Sequence, residues 1–208
     1  MNILVTGTGR SGTTYTTAVL KKLGIRVNHE KMGPDGTCSW RLPYNKPYYR
    51  VPVNRYPVSG LSGFTHIFHQ VRNPLDSIAS MHTITKRSWE YICYTESKIS
   101  MSAMNDSLLL RCMKYWLYWN IQCYSISLFT YRIESFNFLD ITNVLGVTPT
   151  DEQIQDAIEV DHDVNSREHE DITYNDLVCE DADMALDIKE LAEKYGYSDI
   201  SDEFYTCN

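Results

Sequence analysis

The run Gly7-Thr8-Gly9-Arg10-Ser11-Gly12-Thr13-Thr14 constrains this chain more than any other stretch. It follows a short apolar segment, Asn2–Thr6, that reads as a buried strand. It precedes a helical segment, Thr13–Leu23, that stops at Gly24, a residue suited to helix C-termini. Ile25–Asn28 then reads as a second short strand. Strand, glycine-rich turn, helix, strand is the opening of an α/β domain with a parallel sheet. In such a turn the glycines let the backbone curl so that successive N–H groups converge. The following helix adds the partial positive charge of its N-terminus. The expected product is an anion site, with Thr13 and Thr14 supplying hydroxyls.

The spacing of Gly7 and Gly12 is that of a Walker A loop, but Thr13 stands where the Walker lysine would. That lysine reaches the terminal phosphates of a nucleoside triphosphate. Its absence argues against a kinase or ATPase. The loop's cation is Arg10 instead.

Further on, Thr65–Val71 predicts a strand ended by Arg72-Asn73-Pro74, and Leu75–Thr83 a helix with Pro74 in its first turn. Asn105–Ser125 carries the strongest helical periodicity. Ser127–Ile133 reads as a strand and Glu134–Leu145 as a helix ending at Gly146. Thr150–Val160 and Ala182–Tyr195 read as acidic helices. Residues 33–63, with five prolines and many Tyr and Arg, read as one long ordered connection. With 84–104, they are candidate insertions into the domain, on the side where a second substrate would lie. The expectation is a single three-layer domain over 1–208, a central mostly parallel sheet flanked by helices.

Charge is segregated. Residues 1–150 hold 16 Lys+Arg against 8 Asp+Glu, whereas 151–208 hold 3 against 19. A basic body suits an anionic ligand. The acidic third reads as a solvated helical face and tail. The basic residues are spread rather than clustered, which disfavours nucleic acid. No apolar run is long enough to span a membrane, and Ile3-Leu4-Val5 is too short for a signal-peptide core. The six cysteines include no Cys-x-x-Cys pair, so neither zinc nor a disulfide framework is indicated. A cytoplasmic setting is the simplest reading.

Arg72 at a strand's C-terminal end and Ser80 eight residues on, two helical turns in, make a second anion-binding pair. Ligands of open α/β sheets bind beyond the strand C-termini, and an arginine forks two N–H bonds onto a phosphate. His29-Glu30, at the end of the second strand, falls on the same rim. Each is a candidate base, Glu30 first and His29 second. Trp40 is placed to stack on a base, line an acceptor pocket, or simply pack.

Arg10-Ser11-Gly12-Thr13-Thr14, set between strand and helix, resembles the 5′-phosphosulfate loop of the sulfotransferases that use 3′-phosphoadenosine-5′-phosphosulfate (PAPS). Arg72 and Ser80 match that family's 3′-phosphate-binding pair. Glu30 stands where some members place a catalytic Glu. Tyr131-Arg132-Ile133-Glu134 loosely resembles a further segment. The resemblance implies a P-loop-like fold and a PAPS-dependent transferase needing no metal. Gly9, Arg10, Ser11, Gly12, Thr13, Thr14, Arg72 and Ser80 would bind the donor, and Arg10 would stabilise its leaving phosphate. The acceptor would be a small molecule or saccharide with a hydroxyl or amine. The family's basic Gly-rich closing loop has no counterpart; Asn165-Ser166-Arg167 is the candidate substitute, with Arg167 as donor contact. The alternatives are a P-loop nucleotide kinase or hydrolase, or a catalytically inactive nucleotide-binding module.

Overall fold

The computed structural model describes residues 1–44, 60–99, 106–161, 168–198 and 200. Its centre is a sheet of five parallel strands: β1 (Ile3–Thr6), β2 (Val27–His29), β3 (Gly36–Cys38), β4 (His66–Val71) and β5 (Phe129–Arg132). They lie in the order β2-β3-β1-β4-β5. The helices are α1 (Thr13–Lys22), α2 (Pro74–Met81), α3 (Lys86–Thr95), α4 (Leu108–Ile126), α5 (Phe138–Leu145), α6 (Asp151–Ile158), α7 (Tyr174–Glu180) and α8 (Ala182–Lys194). The chain is thus a three-layer α/β domain, as its opening motif predicts.

The two helical layers follow from the strand period of two. On β4, Phe68 faces the layer of α1 and α5, where it packs with Leu20, Tyr131 and Ile141. Val71 faces the opposite layer and joins the larger core, built around Met113, Trp116 and Trp119 of α4. His69 shares that face. Its ring nitrogens are paired with Thr130 Oγ1 at 3.0 Å and Asn120 Oδ1 at 3.1 Å.

One strand escapes the sequence pattern. β3 lies inside the stretch read as an uninterrupted connection, and its three residues, Gly-Thr-Cys, offer no apolar run. It nevertheless sits between β1 and β2, with Gly36 opposite both Ile3 and Val27. A side chain at position 36 would strike the Ile3 backbone, and φ there is 138°, so only glycine fits. The link from β2 to β3 spans only residues 30–35, far shorter than a usual parallel crossover; strands of three residues leave little distance to return. Arg26 braces it with a two-pronged ion pair to Asp35, at 2.9 and 3.1 Å.

Two helices are also additions. α3 occupies residues within the expected 84–104 insertion, and α7 precedes α8. The acidic third is not merely a solvated face. Leu177 of α7 and Ala185, Ile188 and Ala192 of α8 are fully buried in the α4 core. Cys38, Cys93, Cys112 and Cys123 are buried free thiols, whereas Cys179 is disulfide-bonded, a covalent link that the scattered spacing did not reveal. Among the described residues, no helix is long and apolar enough to cross a membrane.

Candidate functional site

The chain leaves β1 toward β2 and β3, then crosses back to β4 on β1's other side. The loops that follow β1 and β4 therefore diverge, and a crevice opens at their C-terminal ends. A cavity of about 440 Å³ occupies this place, and Arg10, His29, Arg72 and Ser80 all border it. Its size is that of a small-molecule site.

The loop holds its shape through backbone geometry and one buried amide. Arg10 and Gly12 adopt left-handed backbone angles, φ 79° and 90°. Left-handed angles of this kind are the backbone signature of an anion nest, although the Ser11 N–H itself donates to the Thr8 carbonyl at 3.2 Å. Arg10 is not glycine, so it holds this conformation at a cost of about 1 kcal/mol. Behind the loop, Gln70 of β4 is fully buried. Its amide nitrogen donates to the Ser11 carbonyl. Its oxygen accepts from the hydroxyls of Thr16 and, at 2.8 Å, Tyr131. A side chain at Gly7 would run into the Gln70 carbonyl, so loop and strand are in backbone contact.

The two arginines meet. Arg10 Nε donates to Ser80 Oγ at 3.0 Å, and Arg72 Nη1 donates to the Arg10 carbonyl at 3.4 Å. Ser80 is almost fully buried. The expected 5′ and 3′ anion sites thus adjoin, and Arg10 already lies on the hydroxyl expected for the 3′-phosphate. Two carboxylates share the wall, Asp76 and Glu134. Asp76 lies 4.0 Å from Arg72 Nη2, one helical turn away. Glu134 accepts at 2.7 Å from the Asn73 backbone N–H and at 2.7 Å from the Tyr197 hydroxyl, and so ties the start of α2 to the segment after α8. Asn73 caps α2, accepting from Leu75 N–H at 2.9 Å.

Of the two candidate bases, His29 borders the cavity. Its Nε2 lies 3.2 Å from Thr13 Oγ1 and 3.4 Å from Thr14 Oγ1. Burial lowers its pKa, the Glu30 carboxylate opposes the shift, and the Arg41 cation adds to it. Glu30 also takes a left-handed angle, φ 54°. Its carboxylate accepts from Ser39 Oγ and the Trp40 N–H, each at 3.1 Å, and lies 3.5 Å from Arg41 Nε. These contacts bind Glu30 to the strand-end framework. Its other neighbour is His29, with Nε2 at 3.9 Å.

Thr13, Thr14, Gly9 and Gly12 line the cavity as the sequence predicts, and so does Trp40. Ser11 is turned inward, its hydroxyl bonded to the Thr8 carbonyl at 2.8 Å. Arg167 lies outside the described residues, as do 45–59 and 100–105 of the two insertions. Sequence reasoning missed Gln70 and Tyr115. The polar pair His69-Gln70, set between the apolar Ile67-Phe68 and Val71 of the strand, was a usable signal for the first; nothing marks Tyr115 out among 15 tyrosines. No protein-family model matches the chain, and no curated protein does.

Proposed function

We propose that this chain is a PAPS-dependent sulfotransferase, acting on a hydroxyl or amine of a small molecule or saccharide. One observation carries the reading: Arg10, Arg72, Ser80 and His29, drawn from two loops, a helix and the end of β2, border a single cavity at the sheet's switch point. The cations and the nest suit a ligand with two anionic ends.

In this reading the acceptor oxygen attacks the sulfur in line. The sulfur–oxygen bond to the 5′-phosphate breaks, and its electron pair stays on the phosphate oxygen, which Arg10 stabilises. The acceptor proton passes to Nε2 of His29. A lowered pKa keeps that imidazole neutral and able to accept. The Glu30 carboxylate, 3.9 Å from the same nitrogen, stabilises the imidazolium that results. His29 therefore takes the role that the sequence assigns first to Glu30. Arg72, with Ser80, holds the 3′-phosphate; Arg10 leaves the Ser80 hydroxyl when the donor enters.

The test is thermal unfolding with the product nucleotide 3′-phosphoadenosine-5′-phosphate (PAP), and with ATP plus Mg²⁺. Protection by PAP with ATP inert is the expected result. The reverse pattern supports a kinase or hydrolase. Incubation with labelled PAPS and a pooled acceptor library, read by mass, then shows whether a sulfuryl group is transferred. PAP binding without any transfer indicates an inactive nucleotide-binding module.

A further inference from the structure

Tyr115 belongs to α4 and is fully buried, yet it borders the cavity. Three indoles fix its ring: Trp119, Trp89 and Trp40, with centroids at 5.0, 5.8 and 6.5 Å and steep interplanar angles. The phenol end reaches the loop, where the Gly9 N–H donates to its oxygen at 2.7 Å. Glycine makes this approach possible: a side chain at position 9 would lie 3.1 Å from the hydroxyl.

That bond has a consequence for the hydroxyl's own hydrogen. A tyrosine hydroxyl is both acceptor and donor. Here the acceptor side is filled by a loop N–H that a nest would otherwise aim at its anion. The donor side has no acceptor among the described residues, and a buried donor without one is costly. Burial raises the phenol's pKa well above its ordinary value, so the hydrogen stays in place. The ring is held by its indole neighbours and its oxygen meets the Gly9 N–H, which leaves the hydrogen to the cavity that Tyr115 borders.

We propose that the Tyr115 hydroxyl is an anion-binding donor of this site, relaying the Gly9 N–H and placing its own hydrogen on an oxygen of the tetrahedral oxyanion seated between Gly9 and Thr13. That the anion is the phosphosulfate end of PAPS rests on the function proposed above; the donor geometry does not.

Inorganic sulfate and PAP are the probes, titrated by thermal shift and calorimetry. In Tyr115→Phe the affinity for both falls roughly 10-fold or more, the worth of a hydrogen bond to a charged group. Unchanged affinity overturns the proposal. The Phe variant also removes the Gly9 acceptor, so a second replacement guards against a merely loosened loop. Putting 3,5-difluorotyrosine at position 115 keeps the ring and the Gly9 contact but makes the hydroxyl more acidic. At neutral pH, where the hydroxyl stays protonated, the fluorinated phenol is a stronger donor and a poorer acceptor, so sulfate affinity rises severalfold if the hydroxyl donates to the anion. Unchanged or weaker sulfate binding overturns the proposal. If the wild type binds sulfate but not PAP, and Tyr115→Phe weakens sulfate, the PAPS reading fails while the role of Tyr115 stands. If the wild type binds neither, both fall.

Discussion

At the residue scale the site asks different work of its two arginines. Arg10 sits in the loop after β1 and Arg72 at the end of β4; in the proposed reaction the first would face the leaving group as it gains charge and the second a standing phosphate. Arg10→Gly removes the guanidinium and relieves the left-handed strain, so any loss is chemical. Turnover of PAPS should fall about 10²–10³-fold, as for removal of one transition-state donor, with PAP affinity changed less. Arg72→Ala should instead weaken PAP binding about 10–100-fold. Steady-state kinetics beside calorimetry check both, and equal small effects count against the assignment. His29, half-buried, and His69, fully buried, give separable pH signatures. His29, with its pKa below the ordinary value, loses its capacity as base only when acid protonates it. Activity should therefore fall on the acid side of pH 6.5, and His29→Gln should flatten that limb along with turnover. His69 is a stability group, its pKa depressed from 6.5 to about 4 by burial. The unfolded chain binds the proton first, so this stability is present above pH 6.5 and is lost as pH falls through about 4. Denaturant titrations should show up to about 3 kcal/mol of loss over that window, diminished in His69→Gln.

At the element scale, the loop after β1 is only as well formed as β4 behind it. Gln70 joins the two: its amide serves the Ser11 carbonyl and the Thr16 and Tyr131 hydroxyls at once. Gln70→Leu keeps the volume and orphans those three groups. A loss of about 2–4 kcal/mol is expected, read as a lower Tm, together with weaker sulfate binding because the nest loses its brace. The sequence made much of this geometry legible. A strand, six turn residues and a helix dictate an N–H cradle, and Arg72-Asn73-Pro74 dictates a second strand-to-helix corner. β3 was not legible, because its strand character comes from being clamped between β1 and β2 rather than from apolar side chains of its own. The choice between His29 and Glu30 was equally closed. Adjacent residues at a strand end face opposite ways, and which one meets the cavity depends on the segment after β3, where Ser39 and Trp40 capture Glu30. The disposition of Tyr115 depends on a long-range packing of three indoles that no local pattern encodes.

For the whole molecule, the segregation of charge conceals a mechanical link. The acidic third reads as a solvated appendage because charge dominates its composition, but every third or fourth residue of α8 is apolar and buried against α4. Beyond α8 the chain places Tyr197 with its hydroxyl on Glu134, and Glu134 holds the backbone at which α2 begins. Arg72 immediately precedes that point and Ser80 lies on α2, so seating α8 fixes the position of the pair proposed to hold the 3′-phosphate. Two substitutions separate packing from positioning. Ile188→Ala opens a cavity in the α4–α8 core and should cost about 2–5 kcal/mol, seen as a lowered denaturant midpoint. Tyr197→Phe keeps the ring and removes only the hydroxyl, so its stability cost should stay near 1 kcal/mol. If the link transmits, Tyr197→Phe nevertheless weakens PAP binding severalfold, and Glu134→Gln retains most of the affinity: its amide oxygen still accepts from the Asn73 N–H, and its NH2 group can donate to the Tyr197 hydroxyl, which turns its own hydrogen to the Val71 carbonyl. PAP affinity unaltered in Tyr197→Phe would make the acidic third a wall of the core with no hold on the site.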